Sequence, residues 1–546
     1  MPKTRLALGL DSSTQSLSAV VIDIDTAEKC FEHSLDYRAD DRLSQFGIGE
    51  DYILPPTEEG EAEQPPLMYL ASLDALFADM RAAGVALKDI VAINTSGQQH
   101  GHVYLNRDAD TLLTQLTGPQ HSKNTPDLKT LLKKMFAYPN APIWMTANTI
   151  AQTEAVRNGV GGKAEMINRS GSDAPLRFTG TVMRRVGEQS PEHYAATTKI
   201  QLISSFIPAV LTGNANVPID YGNACGMSLM NYRKKIWDTA LLAATAHGLP
   251  GGVEAFQSKL PTLAPPDSVV GNLAAYYVEK YGFDPKCAVI AGSGDNPQAK
   301  VPVAGDLLSL GTSFVNMVST DGDTLDPEGF ANAMYDGINR PFMFGCRTNG
   351  AMVWDAVRAN YGFAKEEYAP AEAALQAVAP GQFMTFWQPK TESFPVSGAF
   401  ELIRTAPEHT LAADYTGIIE TSLAALYIYS DVFTKQTQVP LFVTGGATDS
   451  PGIMRRVAGI WNRPTLAVEK GGAALGAAVA GVKAFLDADP DTENGSFDIE
   501  AFSASVLKRG KLIQPNPADI AAYHGEGKYL QRFREKYEQI MEAHPM

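Results

Sequence analysis

The 546-residue chain is longer than one hydrophobic core usually supports, so we expect two domains of roughly 250 residues each. It contains 45% hydrophobic and 19% charged residues, an ordinary globular composition. The formal net charge of -16, without a long Lys/Arg block, argues against a nucleic-acid partner and against binding to an anionic membrane. An anionic substrate would then have to be held by local devices or by a metal.

The cysteines, the N-terminal sequence and the most apolar late run together predict where in the cell the protein is found. The four cysteines have no CxxC spacing, which fits a reducing environment and argues against a zinc site. The N-terminus enters an apolar run at once, without the layout of a signal peptide. The most apolar late run, residues 471–486, is short for a membrane span and contains Lys483. We therefore expect a cytoplasmic protein.

The first predicted elements form a hairpin. Residues 6–10 and 18–23 are apolar runs, and the turn between them carries Asp11, Thr14 and several other hydroxyl groups. A turn rich in Ser and Thr is by itself more often structural. Residues 307–319 partly repeat the order of strand, hydroxyl turn and strand. Two related hairpins, one per half, favour a duplicated fold that holds a phosphate chain from both sides, with Asp11 beside a metal on that chain.

The next elements predict a binding site for hydroxyl groups. Residues 67–83 have helical periodicity, and the strand predicted at 90–94 leads to Gln99 and His100 between glycines. These side chains can donate hydrogen bonds to several hydroxyl groups and accept them, as a polyol ligand requires. A lone histidine is more often structural, so this motif is a weak sign alone.

Two charged residues in the middle of the first half leave alternatives open. Arg177 precedes Phe178 and could be a surface charge, or could donate to sugar hydroxyls or to an anionic group. Helical spacing is predicted for residues 200–207. Asp220 follows, and it rivals the later Asp295 as a catalytic carboxylate.

The strongest motif lies near the centre of the chain. The apolar run 287–291 leads into Gly-Ser-Gly and delivers Asp295 and Asn296 at a strand end. A second strand soon ends in Gly-Thr-Ser with Thr312, where backbone N–H groups and hydroxyls suit a phosphate. A proton acceptor and a phosphate cradle are thus close in sequence, which predicts a phosphoryl transfer.

A glycine turn in the second half predicts a nucleotide contact. The strand predicted at 441–444 runs into Gly445 and Gly446, and a helix should begin with Ser450 as N-cap and Pro451 at its first position. The glycines would let a flat nucleotide approach the backbone, and the helix N-terminus favours phosphate.

Three further stretches predict a domain boundary, a closely packed helix and a helical tail. We place the boundary between the halves within residues 260–284, which are interrupted by Pro and Gly. The small residues of 471–478 predict a closely packed helix. The tail at 517–543 is predicted to be helical and solvated.

Six motifs, in this order, resemble those of the FGGY family of carbohydrate kinases. They cover the chain from residue 6 to about residue 486 and are Gly9-x-Asp11-x-x-Thr14, Gly97-Gln98-Gln99-His100-Gly101, Ile219-Asp220-Tyr221, Gly294-Asp295-Asn296, Leu310-Gly311-Thr312-Ser313 and Thr444-Gly445-Gly446-Ala447. The Gln-Gln-His-Gly run and the Ser-Phe-x-Pro sequence at 205–208 look most like the xylulokinases of this family.

The resemblance implies an α/β fold of two actin-like ATPase (ribonuclease H-like) domains with an interdomain cleft. Residues 1–275 would bind sugar and residues 276–546 would bind nucleotide. Asp295 would be the catalytic base and Asp11 a second catalytic carboxylate near Mg²⁺ and the phosphates, which leaves Asp220 a structural or supporting role. The sugar side would comprise Gln99, His100, Arg177, Asp295 and Asn296, and the nucleotide side Thr14, Gln15, Thr312, Gly445, Gly446 and Ser450.

The expected reaction is ATP-dependent phosphorylation of a ketopentose, with D-xylulose as the first candidate and the 5-phosphate as product. The resemblance implies ATP, Mg²⁺ and a small sugar, with neither a nucleic acid nor a membrane as partner; a homodimer is a general expectation. Ribulose, gluconate and glycerol remain alternative substrates. An actin-like ATPase without a sugar substrate is a further alternative, and Asp11 and Asp295 disfavour a silent sugar sensor. Thr146 and Asn148 stand where many members have an acidic residue and several have arginine, so the sugar is less well defined than the reaction.

Overall fold

The computed structural model describes residues 4–119, 121–405, 407, 409–435, 437, 439–469, 471–488 and 497–545, which form two compact units. The first unit comprises the chain up to residue 302 together with 333–341 and 471–506, and the second comprises 303–332, 342–470 and 507–546. The units differ from the predicted domains 1–275 and 276–546, because the first unit runs on to residue 302, beyond the boundary expected within 260–284, and also includes residues 333–341 and a late helix. The predicted division of sugar and nucleotide binding between those domains stays a prediction.

The first unit is built on a mixed sheet with the strand order β5-β6-β4-β1-β2-β3, in which β7 also pairs with β4. Its strands are β1 (Leu6–Ser12), β2 (Ser16–Asp23), β3 (Lys29–Asp36), β4 (Ile90–Gly97), β5 (Val269–Asn272), β6 (Ala288–Ile290) and β7 (Ser293–Gly294). Strands β1, β2 and β3 form an antiparallel meander, and β4 runs parallel to β1, β6 and β7. The predicted first hairpin is confirmed, with Leu6 opposite Asp23.

The second unit repeats this topology. Its main strands are β8 (Leu307–Leu310), β9 (Phe314–Ser319), β10 (Pro341–Arg347), β11 (Leu441–Thr444), β12 (Thr465–Val468) and β13 (Arg509–Ile513). They lie in the order β10-β9-β8-β11-β12-β13. Strands β8, β9 and β10 form an antiparallel meander, and β11 runs parallel to β8 on its other side. The expected duplication is therefore confirmed.

Fifteen α-helices belong to the described part of the first unit. They are Pro66–Ala82, Ala109–Thr114, Leu128–Leu132, Ile150–Gly159, Lys163–Ser170, Thr179–Gln189, Pro191–Ala196, Ile203–Thr212, Tyr221–Ala224, Thr239–Ala246, Gly252–Ser258, Ala275–Tyr281, Asp295–Lys300, Gly472–Asp487 and Ile499–Val506. The helix expected at 67–83 is confirmed. The helical prediction for 200–207 is wrong in its first part, because Thr197–Leu202 is a strand paired with His102–Asn106. Residues 200–207 are all buried, so the apolar period does not distinguish strand from helix.

The helix Gly472–Asp487 packs closely against β1 and β4 of the first unit. A Cβ atom on Gly9 would overlap the carbonyl oxygen of Ala474, and Asn94 Nδ2 donates to the carbonyl of Ala477 at 3.0 Å. The small residues thus serve the close packing that the sequence predicts.

The helices of the second unit are Ala351–Asn360, Ala369–Ala377, Leu411–Ser430, Pro451–Trp461, Pro517–Tyr523 and Tyr529–Ala543. The last of them corrects the expectation of a solvated tail. Tyr529, Phe533 and Tyr537 recur every four residues on its inner face and are buried, and the Phe533 ring lies 5.8 Å from that of Phe386. Within the described ranges, we find no helix with the length and apolar character needed to cross a membrane.

Candidate active site

Asp11 and Asp295 lie at strand ends on either side of β4. In the parallel register, Asp11 is opposite Ser96 and Ser293 pairs with Ser96 from the other side. The chain then passes through Gly294 to Asp295, which begins the helix Asp295–Lys300. The sheet therefore brings together two carboxylates that are far apart in sequence.

Both carboxyl groups hold their protons more strongly than an exposed aspartate. Burial raises the pKa of Asp11 to about 6. Burial, followed by the negative charge of Asp11, raises the pKa of Asp295 to about 7, and backbone amides of Asn296 and Gln99 partly oppose the rise. A carboxylate with a pKa near 7 is suited to accept a proton at neutral pH.

Asn296 joins Asp295 to Gln99. The Asn296 side-chain amide donates to Asp295 Oδ1 and to Gln99 Oε1, both at 3.0 Å. The backbone N–H of Asn296 donates to the same carboxylate oxygen at 2.8 Å. Three residues predicted for the sugar side thus share one hydrogen-bond network, which fixes the orientation of the carboxylate.

His100 is held as a neutral hydrogen-bond acceptor. Its Nδ1 donates to the carbonyl of Gly226 at 2.8 Å, which leaves Nε2 with a lone pair. Its ring stacks on Phe178 with centroids 4.6 Å apart, and a Cβ on Gly226 would press against it. Burial and the positive charge of Arg177 lower the pKa of His100 to about 3. The histidine has φ +69, a conformation uncommon outside glycine, which points to a position fixed by its surroundings.

Arg177 and Asp220 have different environments. Arg177 is partly exposed and acts electrostatically on His100, which places it with the other predicted sugar residues. Asp220 is buried, caps the helix Tyr221–Ala224 through the backbone N–H of Asn223 and accepts a hydrogen bond from Ser293. Burial raises its pKa to about 7. Its partners are those of a structural residue.

Thr14 belongs to a polar network in the first unit. Its hydroxyl donates to Gln98 Oε1 at 3.2 Å and accepts from the indole N–H of Trp144 at 2.8 Å. Gln98 is fully buried and donates to Gln64 Oε1 at 2.8 Å. The side chain of Gln15, also predicted for the nucleotide side, is exposed nearby in sequence.

Three of the four other predicted nucleotide residues line a cavity of about 520 Å³ in the second unit. Thr312, Gly446 and Ser450 line it, together with Tyr368 and Glu372. Gly446 has open space where a side chain would stand. Gly445, which has φ +104, lies too close to Leu310 for a Cβ, so its glycine is explained by packing against β8.

The helix start beside this cavity agrees with the prediction, but its N-terminus is already occupied. Ser450 caps the helix Pro451–Trp461 by accepting from the N–H of Ile453 at 3.1 Å. The Glu372 carboxylate accepts from the Ser450 hydroxyl and, at 2.9 Å, from the N–H of Gly452. The expectation of a phosphate at this N-terminus is therefore not supported, because a carboxylate takes that position.

The surroundings of Asp11 suit a metal ion that also binds phosphate. Asp11 Oδ1 is buried and has no hydrogen-bond partner among the described residues. Among all the residues that the structure describes, no group of three or more His, Cys, Asp or Glu side chains could hold a metal by itself. Mg²⁺ commonly binds to one or two carboxylates together with substrate phosphates, and this arrangement fits that requirement.

Several residues of these sites were not singled out from the sequence. Phe178, Gly226 and Trp144 orient predicted site residues, and Glu372 and Tyr368 line the cavity. Only Phe178 gave a signal, as the neighbour of Arg177. The other positions depend on long-range contacts.

Comparisons with known proteins agree with this architecture. Residues 133–301 match the N-terminal domain of the FGGY family of carbohydrate kinases, and residues 307–485 match its C-terminal domain. The solved structure of a xyloylose kinase from Brucella ovis superposes with a TM-score of 0.78 at 19% identity, covering 98% of this chain and 99% of that one. At this identity, the structural likeness establishes the fold.

Curated relatives add sequence similarity over part of the chain. Xylulose kinase 2 of Arabidopsis thaliana is 34% identical over 320 residues, which is 57% of this chain and 54% of that protein. The xylulose kinase of Mus musculus is 33% identical over 315 residues, with the same two shares. The match spans little more than half the length of these relatives. The two domain matches together cover most of the chain, in the order of the motifs, and the chain belongs to the FGGY family of carbohydrate kinases.

Proposed function

We propose that this protein is an ATP-dependent sugar kinase that phosphorylates D-xylulose to D-xylulose 5-phosphate. Membership of a carbohydrate kinase family supports phosphoryl transfer to a sugar, with ATP as the donor. The names of the curated relatives support xylulose as the acceptor.

The observation that carries the proposal is the environment of Asp295. Its carboxylate is oriented by Asn296, which also holds Gln99, and it lies at a strand end beside that of Asp11. A sugar bound beside Asp295 would contact the side-chain amides of Gln99 and Asn296, and its hydroxyls could donate to the imidazole of His100 and to the carboxylate that acts as base. An ATPase without a sugar substrate would have no use for this combination.

In this proposal, Asp295 accepts the proton of the attacking sugar hydroxyl as the bond to phosphorus forms. Gln99, Asn296 and the Nε2 atom of His100 bind other hydroxyls and hold the attacking oxygen in position. Arg177 donates hydrogen bonds to the sugar from the same side. The neutral state of His100 suits it to accept a hydrogen bond from a hydroxyl group.

The nucleotide would occupy the cavity of the second unit, with Thr312, Gly446 and Ser450 on its walls. We assign Mg²⁺ to the phosphate side, held by Asp11, whose buried Oδ1 lacks a partner in the described residues. When bound, the ion neutralises charge on the transferred phosphoryl group. Thr14 and Gln15 would contact the phosphates from the first hairpin.

Thr146 and Asn148, near Trp144, are the positions at which this chain departs from many family members. Thr146 donates to the carbonyl of Ala62 at 3.0 Å, and Asn148 donates to Glu58 at 2.8 Å. Both side chains therefore donate within the unit, although the buried Asn148 Oδ1 has no partner among the described residues, and we assign their donor groups a role in loop structure. Specificity for a pentulose would then come from Gln99, His100 and Arg177.

The test is ADP release measured against D-xylulose, D-ribulose, gluconate and glycerol, with identification of the phosphorylated product. We expect the largest kcat/KM for D-xylulose and phosphate at its 5-hydroxyl. ATP turnover independent of any sugar would contradict the proposal in favour of an ATPase. A cytoplasmic location and a homodimer stay predictions.

A further inference from the structure

The cavity of the second unit has walls suited to a nucleoside and unsuited to a free triphosphate. None of its lining residues, all of which lie in the described part of the chain, is Lys, Arg or His. Three carboxylates, Asp355, Glu372 and Asp449, are among them, together with three aromatic rings. Because carboxylates repel phosphate, this space fits an uncharged ring system.

One of these rings is unusually open. The Tyr368 side chain lines the cavity and is 58% exposed, whereas Trp354 and Tyr415, which also line it, are buried. The guanidinium of Arg358 lies over the Tyr368 ring, with its carbon 4.3 Å from the ring centroid. Since one face is covered by a cation, the other remains for a flat partner.

The covered face is fixed before any ligand arrives. Arg358 is buried, and its guanidinium donates to Asp355 Oδ1 at 2.7 Å and to the carbonyls of Lys365 and Glu367 at 2.8 and 3.0 Å. The loop before Tyr368 therefore wraps around an immobile cation. Tyr368 itself starts the helix Ala369–Ala377, and its carbonyl accepts from the N–H of Glu372 at 2.9 Å. A ring held in this way loses little conformational freedom when a ligand binds.

We infer that Tyr368 is the platform on which the base of the nucleotide stacks, with Arg358 behind it as a positioning residue. This inference rests on the proposed function and adds a residue for the base. Stacking on an aromatic ring tolerates every base, because each has a π face. Tyr368 thus supplies affinity for the nucleoside without choosing among bases.

The test compares Tyr368→Ala and Tyr368→Phe with Phe363→Ala, a control in the same loop whose ring does not line the cavity. Replacing the tyrosine by alanine should raise Kd for ADP and KM for ATP by about 5- to 100-fold, the range for loss of one base stack. Tyr368→Phe and Phe363→Ala should leave both close to the wild-type values. KM for the sugar should not change in any variant.

Two further measurements separate stacking from other effects. Tyr368→Ala should weaken ATP and GTP by the same factor and should leave inhibition by inorganic tripolyphosphate unchanged. If the alanine variant has a lowered melting temperature, Tyr368→Leu keeps the apolar bulk and should still lose nucleotide affinity. Wild-type protein that binds neither ADP nor ATP would overturn the proposed function. Wild-type binding of ADP that Tyr368→Ala and Tyr368→Leu both retain would overturn only the platform.

Discussion

Asp11 and Asp295 flank the same central strand, and the charge of Asp11 raises the pKa of Asp295. Two steps between neighbouring strands separate β1 from β7, so their backbones are about 10 Å apart. The two carboxyl groups have raised pKa values, about 6 for Asp11 and about 7 for Asp295. Asp295 is also the carboxylate that Asn296 orients beside Gln99, which favours it as the base.

The pH dependence of turnover should report the ionisation of Asp295. A base must be deprotonated to act, so kcat/KM for the sugar should fall as pH decreases through about 7. In Asp11→Asn, the pKa of Asp295 should decrease because one negative charge is lost. NMR titration of the Asp295 carboxyl measures this shift without the need for activity. An unchanged or higher pKa in Asp11→Asn would contradict the coupling.

The free energy of unfolding should depend on pH, because the folded surroundings of Asp295 disfavour its charged form. Because the pKa of Asp295 is higher in the folded state than in the unfolded state, the folded protein binds more protons between about pH 4 and pH 7. Its stability should therefore decrease as pH rises through that range. Asp295→Asn should raise the melting temperature at pH 8 and have little effect at pH 4. Asp321→Asn is the control, because Lys435 lowers the pKa of Asp321 and the substitution should not stabilise. A lower melting temperature of Asp295→Asn at pH 8 would contradict this account.

His100→Ala should raise KM for the sugar by about 10-fold and leave KM for ATP unchanged, because one acceptor of a sugar hydroxyl is lost. His100→Asn controls for the backbone, since asparagine tolerates positive φ better than alanine. The pKa of about 3 keeps the imidazole neutral from pH 5 to 9, so it should not contribute to the acid limb of the profile. Equal increases in both Michaelis constants would count against the placement of His100 on the sugar side.

The hydrogen bonds of Gln98 to Gln64 and Thr14 should stabilise the folded protein and restrain the Trp144 side chain. Gln98→Leu removes the acceptor of the Thr14 hydroxyl and one of the two donors to Gln64 Oε1, which keeps the Tyr69 hydroxyl, and should cost about 1–3 kcal/mol of unfolding free energy. Urea unfolding measures the loss. The indole of Trp144 should also become more mobile, and the fluorescence difference against Trp144→Phe detects this change. Wild-type stability together with unchanged Trp144 fluorescence would show that the network has no such role.

The sequence predicts the elements whose signals are local. The hairpin at Leu6–Asp23, the cap at Ser450 and the duplicated strand pattern follow from alternation, turn residues and capping chemistry. The strand at Thr197–Leu202 could not be predicted in the same way, because its second half is buried without an alternating pattern and its partner strand, His102–Asn106, lies far earlier in the chain. The order of strands in the sheets likewise depends on pairings between distant segments.

The residues of the candidate site likewise fall into two groups, those that a local sequence pattern predicts and those that depend on packing. Asp295, Asn296, Gln99 and His100 were found because glycine-bounded strand ends carry chemistry. The stacking of Phe178 on His100 and the carboxylate of Glu372 at the helix start depend on packing, so no local pattern indicates them. The phosphate expected at that helix is not supported for this reason, since the carboxylate that accepts from Gly452 comes from a different helix.

The most direct test of the account is single-turnover phosphoryl transfer by Asp295→Asn with D-xylulose and ATP both bound. Calorimetry first establishes that the variant binds each ligand with nearly wild-type affinity. We then expect the transfer rate to fall by about 10²–10⁴-fold, the usual contribution of a general base. A transfer rate close to that of the wild type, with both ligands bound, would contradict the assignment of Asp295 as the base.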